Sequence, residues 1–417
     1  MTAPLPLSVS PSHLAAPLRL PSGAVLRNRI AKASLSERLA DTAGDPSDAL
    51  LRLWDQWAPS GAGLLLTGNV MVERAHCAER GNVVVDAATR DERLALWATR
   101  ARAGGSAVWM QINHAGRQAV RMADPSPVAP SPVPMNVGWG AFARPRALTD
   151  TEIHGIVAAF GVAAARARAA GFDGVQIHAA HGYLANQFLS PLTNLRDDAW
   201  GGDAPRRRRF LREVLVAVRA AVGTGFSVGL KLNSADFQRG GFDQGESLDV
   251  VRMVADEGVD LLEISGGTYE APAMMQEAEA SSPEAPTASS STQKREAYFL
   301  DYAETVRALV PVPLMVTGGF RTAAGMEAAL RSGAVDMVGL GRPFCVDPAL
   351  PTALLADPGA RVPRPRLDTG LRDLDAMIQG GWYLAQLQRM GDGAPPDPAL
   401  WRSRAVWTYL AAGGRSR

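Results

Sequence analysis

This chain has almost no cysteine. Its 417 residues include two, Cys77 and Cys345. Two thiols cannot build a disulfide framework, and an iron–sulfur cluster needs about four. Lysine is nearly as rare. Only Lys32, Lys231 and Lys294 occur, and the first two fall in apolar stretches that read as strands. Neither sign of charge is in excess, with 43 basic against 42 acidic residues and a formal net charge of +1. That balance makes no electrostatic case for nucleic acid or an acidic membrane as partner. The run Arg206–Arg209 opens a predicted helix and reads as a solvated face. No stretch approaches the roughly 20 apolar residues that span a bilayer. The start, MTAPLPLSVSPSH, has neither a basic head nor a long apolar core. A cytoplasmic location is expected. What remains is 47% apolar and 20% charged, an ordinary globular composition with ample material for a core.

Short apolar segments alternate with longer helical ones. Strands are expected near Arg29–Ser34, Gly63–Asn69, Ala107–Asn113, Gly174–His178, Ser227–Asn233, Leu261–Ser265, Pro313–Thr317 and Asp336–Gly339. Helices are expected near Ser47–Trp57, Thr89–Gly104, Asp150–Ala170, Pro205–Val222, Ser247–Glu257, Ala297–Leu309, Thr322–Arg331 and Asp347–Ala356. Near-continuous apolar strands imply a parallel sheet covered by helices. Eight strand–helix pairs favour a (β/α)8 barrel, a TIM barrel, over an open sheet. The leader Leu18–Arg27 holds Pro-Ser-Gly between apolar pairs and reads as a hairpin plugging the barrel bottom. Two long loops, Asp124–Arg146 and Gly266–Glu296, follow strands three and six. Both emerge on the C-terminal face, where barrel active sites sit. The tail, from about 368 to 417, reads as helical, with Trp401 and Trp407 in one helix. It is an expected surface for packing on the barrel or on a second copy of the chain.

Polar residues recur where the predicted strands end. Ser34 and Ser36 close strand one. Thr67, Gly68 and Asn69 close strand two, and Gln111 and His114 strand three. His178, His181 and Tyr183 follow strand four, and Lys231 lies within strand five. Gly318 and Gly319 end strand seven; Gly339, Gly341 and Arg342 end strand eight. The glycine turns VTGGFRT and VGLGRPF each lie between a strand and a helix, at the usual phosphate place of a barrel. Read blandly, those glycines only make tight turns. A lysine inside a strand must find a partner or an anion. For His178 and His181 three readings stand: a metal pair, weakened by the lack of an acidic partner; structural imidazoles; or an oxyanion clamp. Tyr183 is a packing tyrosine unless the histidines recruit it.

The stretch HAAHGYLANQFLSPLTNLRDDAWGG resembles the signature of the Old Yellow Enzyme family of FMN-dependent ene-reductases. The likeness runs from about Leu18 to about Pro348, with further anchors in NRIAKAS, QINHAGRQ, VTGGFR and VGLGRPF. It implies non-covalent FMN at the C-terminal face, reduced by NAD(P)H, and an activated alkene as the small-molecule substrate. It places the FMN phosphate at Gly318, Gly319, Gly341 and Arg342. Ser34, Leu35 and Ser36 correspond to the segment beside the flavin, Asn69 joins the cofactor set, and Gln111 and Lys231 serve the pyrimidine edge. It makes His178 and His181 the clamp on a substrate carbonyl and Tyr183 the proton donor to the α-carbon. His114, Asn186 and Arg196 are expected to hold loops; Trp139, Tyr269 and Tyr298 are expected near the substrate entrance. The chain departs from the family at Lys231, commonly arginine, and at Ser36, often Cys or Thr. Glu37 and Arg38 stand where several relatives have an aromatic residue, which bears on substrate preference.

One domain is expected over residues 1–417, with the barrel at about 18–357 and the helical tail at about 368–417. No metal is expected. An NADH oxidase or demethylase-type flavoenzyme is the nearest alternative on this scaffold. A flavin-based redox sensor without turnover is the more distant one.

Overall fold

The computed structural model describes residues 12–137, 140–268, 270–271, 290–363, 365 and 372–401, with side chains excepted at 290–298 and 372–377. A hairpin comes first, β1 (Leu18–Arg19) paired antiparallel with β2 (Val25–Leu26). The barrel begins with β3 (Ile30–Lys32), β4 (Leu64–Met71) and β5 (Ala107–Asn113). A small parallel pair, β6 (Val128–Ala129) and β7 (Arg146–Ala147), ties together the base of the next loop. The barrel continues with β8 (Gly174–Ala179), β9 (Ser227–Asn233), β10 (Leu261–Ser265), β11 (Leu314–Thr317) and β12 (Met337–Leu340). These eight strands are parallel, and β12 returns to β3 to close the ring. All eight expected strands are present, so the fold is the (β/α)8 barrel that the alternation implied.

Helices α1 (Asp48–Trp57), α2 (Asp91–Arg102), α3 (Asp150–Ala170), α4 (Leu184–Leu189) and α5 (Ala204–Val222) surround one half. The rest are α6 (Gln244–Asp256), α7 (Ser290–Leu309), α8 (Ala323–Arg331), α9 (Leu350–Ala356) and α10 (Arg372–Gly391). The side chain of Thr149 caps α3 in a reciprocal box with Glu152, and Asp203 caps α5 with a proline in its first turn. Helix α6 starts three residues before the expected Ser247 because the Asp243 carboxylate accepts Glu246 N–H at 2.9 Å. Helix α7 starts at Ser290, so the loop after β10 is shorter than expected.

The barrel interior is layered. At the bottom, Leu18, Leu20 and Leu26 of the hairpin pack with Ala31, Leu64, Leu66, Trp109, Leu261, Met315 and Met337. This is the expected plug. The Trp109 indole needs glycine beside it: a Cβ at Gly174 or Gly229 would lie 2.6 or 2.7 Å from its ring. Outward-facing residues such as Leu65, Met110 and Val175 join the larger core under the helices.

Three expectations need correction. Arg207, in the run read as solvated, is buried; it donates to Leu189 O at 3.0 Å and Gly202 O at 2.6 Å and pairs with Glu246. Trp401 lies outside any helix and is 76% exposed, while Trp407 falls outside the described residues. Among the described residues α3 is, by length and composition, apolar enough to cross a membrane. Its Ile153, Ile156, Phe160 and Ala164 belong instead to the core around the barrel.

Candidate functional site

Above the apolar plug lies a level of polar side chains. Glu263 on β10 is wholly buried. Its Oε1 accepts from Thr317 Oγ1 at 2.6 Å and pairs with Lys231 Nζ at 3.0 Å, and its Oε2 accepts from Gln176 Nε2 at 2.8 Å. A carboxylate only accepts, so Gln176 must turn its nitrogen to Glu263 and its oxygen away. That oxygen takes Gln111 Nε2 at 2.8 Å, and the Gln111 oxygen takes the Ser34 hydroxyl at 2.7 Å. One directional chain of hydrogen bonds thus crosses from β10 to the end of β3. By donor–acceptor capacity Gln111 keeps one N–H and one lone pair for a polar ligand edge. Gln176, Glu263 and Thr317 were missed by the sequence reading. The signal was present, since Gln176 and Glu263 interrupt apolar strands as Lys231 does.

His178 is near the end of β8. Ala180 N–H donates to its Nδ1 at 3.2 Å, which leaves the ring proton on Nε2. His181 has φ +61°, a left-handed conformation. Asn233 Oδ1 accepts His181 N–H at 3.2 Å, and Asn186 Oδ1 accepts Gly182 N–H at 2.7 Å. The two asparagines meet on Asp236, Asn186 Nδ2 at 3.1 Å and Asn233 Nδ2 at 3.3 Å from its Oδ1. Asn186 therefore holds the turn, as expected. The ring of His178 lies 5.2 Å from that of His181 and 4.9 Å from that of Tyr183. Tyr183 is at the N-terminus of α4, packed with Met71, Ala78, Ala115 and Ala119. His181 Nε2 is 2.6 Å from Ser265 Oγ, a partner the sequence did not reveal. Burial holds both imidazoles well below the ordinary histidine range; His181 and Lys231 add to the effect on His178, and Lys231 to that on His181. Both rings are neutral donors at neutral pH.

At the ends of β11 and β12, Gly318 and Gly319 have φ of +91° and +84°, backbone that only glycine adopts freely. Gly339 faces Thr317, whose Oγ1 would be 2.1 Å from a Cβ there. Arg342 opens a short 3-10 turn, Arg342–Cys345, and Trp57 Nε1 fixes that turn through Phe344 O at 3.0 Å. The guanidinium donates to Gln379 Oε1 at 3.3 Å and lies 5.7 Å from the Tyr383 ring, both on α10. The C-terminal helix therefore reaches the turn after β12.

Asn69 accepts from Asn113 Nδ2 at 2.8 Å, while its own buried Nδ2 has no partner among the described residues. Leu35 is half-buried and runs close to Gly341. Ser36 donates to Glu79 Oε2 at 2.9 Å, away from the Ser34–Gln111 chain. His114 is buried and holds its loop: Nδ1 accepts Gly116 N–H at 3.0 Å, and Nε2 meets Glu73 at 3.0 Å. Arg196 donates to Pro130 O and Leu148 O. Trp139, Tyr269 and the Tyr298 side chain lie outside the described residues. A flavin mononucleotide fits these residues: an arginine and open glycine backbone at one end, and at the other an unpartnered buried amide, a lysine and a glutamine with capacity to spare.

Residues 13–356 match the family described as NADH:flavin oxidoreductase / NADH oxidase. The chain is 36% identical over 410 residues to NADH-dependent flavin oxidoreductase iccE of Talaromyces variabilis, covering 91% of this chain and 98% of that protein. It is 36% identical over 395 residues to NADH-dependent flavin oxidoreductase iliE of Neonectria sp. (strain DH2). That match covers 90% of this chain and 51% of the relative, so the chain spans about half of that longer protein. A solved structure of the old yellow enzyme homologue from Zymomonas mobilis superposes with a TM-score of 0.69 at 25% identity, over 84% of this chain and 94% of that one.

Proposed function

The chain belongs to the NADH:flavin oxidoreductase / NADH oxidase family, that of Old Yellow Enzyme, and is an NAD(P)H-dependent flavin oxidoreductase; from that premise we propose that it holds FMN non-covalently within one barrel domain and reduces the C=C bond of α,β-unsaturated carbonyls. The observation that carries this reading is the meeting of two neutral imidazoles and a phenol, with rings 4.9 and 5.2 Å apart, at one strand end above the Gln111–Lys231 level.

FMN, when bound, would supply hydride-transfer chemistry between a nicotinamide and the alkene β-carbon. Gly318, Gly319, Gly341 and Arg342 hold its phosphate. Asn69, Gln111 and Lys231 serve the polar edge of its ring, and Ser34, Leu35 and Ser36 form the adjoining wall. His178 donates its Nε2 proton to the substrate carbonyl oxygen. His181 joins by exchanging Ser265 for that oxygen. As neutral donors they stabilise the enolate, and losing one such donor typically lowers the rate by about 10²–10³. Tyr183 protonates the α-carbon. Binding alone needs no proton donor, which argues against a redox sensor.

The purified protein is expected to be yellow and to release FMN, not FAD, on heating or acidification. Arg342→Ala should weaken FMN retention, because a charge-assisted phosphate contact disappears. In stopped flow, NADH or NADPH should bleach the flavin and an enone should restore it faster than oxygen does. Reoxidation by oxygen ahead of every enone would assign an oxidase instead. A colourless, fully folded protein would end the cofactor assignment.

A further inference from the structure

Strand β4 carries one residue too many for its neighbour. Its register with β5 pairs Leu66 with Trp109 and resumes at Asn69 with Gln111, a bulge at Thr67 and Gly68. An extra residue reverses the face that every later side chain takes. Before the bulge, Leu64 and Leu66 join the barrel interior. After it, Asn69 and Met71 take that side, Asn69 beside Gln111 and Met71 packed with Tyr183.

A bulge also removes backbone groups from the ladder, and a buried strand must pair them elsewhere. Two ionisable side chains do so. Lys32 Nζ donates to Leu66 O at 2.9 Å and Ala33 O at 3.3 Å. Glu37 Oε1 accepts Gly68 N–H at 2.7 Å. Both side chains are buried, and the ammonium lies 4.1 Å from the Trp57 ring and 5.4 Å from that of Trp54 on α1. Gly68 has no room for a Cβ, which would fall 1.7 Å from Glu37 Oε2 and 2.2 Å from Leu35 O. The segment after β3 therefore lies directly on the bulge. Burial lowers Lys32 to about 8, against the attraction of Glu37 and of Cys345 on the turn after β12. Apolar residues in these two places would leave Leu66 O and Gly68 N–H buried and unpaired, so the two ionisable side chains specify the bulge and do not merely fill the outward face.

We propose that Lys32 and Glu37 are positioning residues for the cofactor site, holding the β4 bulge and the Ser34–Glu37 segment so that Asn69 and Met71 face the barrel mouth. The inference rests on the reading of that mouth as an FMN site. Neither residue touches reacting atoms.

Two variants test it. Glu37→Gln keeps an acceptor for Gly68 N–H but removes the charge. Lys32→Met with Glu37→Leu replaces the pair by apolar groups and leaves no buried charge unpaired. The measurements are hydrogen exchange at the Gly68 amide without flavin, the FMN dissociation constant, and the midpoint potential of bound FMN. In the folded double variant, Gly68 should exchange about 10-fold faster or more, and FMN should bind about 10-fold more weakly, as for loss of a buried hydrogen bond. The potential should shift, and Glu37→Gln should fall between. A folded double variant with all three readouts at wild-type values overturns the proposal. If the double variant does not fold, wild-type values throughout in Glu37→Gln overturn it. A wild-type protein that holds no flavin sinks the cofactor reading, and Gly68 exchange then decides whether the pair holds the bulge.

Discussion

Tyr183 and His178 are neighbours by ring contact, at 4.9 Å, yet their proposed tasks separate cleanly. A proton donor to the α-carbon acts only when an alkene is reduced. Tyr183→Phe should leave flavin reduction by NAD(P)H nearly unchanged and slow reduction of a weakly activated enone by about 10-fold or more. Equal slowing of both half-reactions in stopped flow would make Tyr183 a packing residue. The histidines carry a stability signature. Burial, with the neighbouring His181 and Lys231, holds His178 well below the ordinary value of 6.5. As pH falls through about 6.5, the unfolded chain takes up a proton that the folded chain refuses, so stability falls on acidification. Above that value neither state is charged at this residue, and the contribution is flat. The buried carboxylates Glu37 and Asp236, raised by burial, act in the opposite sense. The comparison is therefore made by difference. Between pH 7.5 and 5.5, His178→Asn should lose less stability than wild type, by up to about 1.4 kcal/mol. Identical losses in denaturant melts would mean that the imidazole takes its proton while folded.

At the scale of elements, the turn between β8 and α4 is held from the next strand. His181 adopts φ +61°, and a left-handed conformation costs a non-glycine residue about 1–2 kcal/mol. Asn233, at the end of β9, offsets that strain by accepting His181 N–H and donating to Asp236 Oδ1 and Gly267 O. Asn233→Leu takes the partner from His181 N–H and Gly267 O, while Asp236 Oδ1 keeps Asn186 Nδ2, and should destabilise the protein by about 1–3 kcal/mol. It should also weaken p-hydroxybenzaldehyde binding, read from the long-wavelength charge-transfer band with FMN bound, because His181 loses its fixed direction. A lowered melting temperature with an undiminished phenol titration would show that the turn keeps its shape without Asn233.

The whole molecule is closed by its C-terminal helix. Arg52 on α1 donates to Gly391 O at 2.7 Å, and Gln56 donates to Met390 O at 3.0 Å. Ile378, Trp382, Leu387 and Met390 of α10 are themselves buried. Each large apolar side chain contributes about 1.5–3 kcal/mol on burial. A chain ending at residue 365 should therefore lose more than about 4 kcal/mol of stability, a large share of a typical total. It should also retain FMN poorly, because Arg342 loses Gln379 and the turn fixed by α1 loosens. Thermal melts and released-flavin absorbance test both. A truncated protein that melts and holds FMN like the full chain would make α10 a passive appendage.

Apolar strands at regular spacing, with capped helices between them, made the closed barrel legible in the sequence. The same local patterns revealed the hairpin plug and the gathering of His178, His181, Tyr183 and Gln111 at strand ends, with Lys231 inside its strand, because a parallel barrel brings those ends together whatever fills the loops. Scarcity helped too, since a lone lysine within an apolar strand stands out. Other features needed tertiary structure. Glu263 and Gln176 are 87 positions apart, and nothing local says that one accepts from the other. The bulge at Thr67 and Gly68 sets the facing of Asn69, which unbroken alternation from Leu64 would turn to the other side. Arg342 meets Gln379, and Arg207 disappears under Glu246, because helices packed late in the chain decide which charges water can reach. Local sequence sets backbone conformation within a few residues. Which face a side chain finally presents, and what it pairs with, depends on how distant strands and helices close around it.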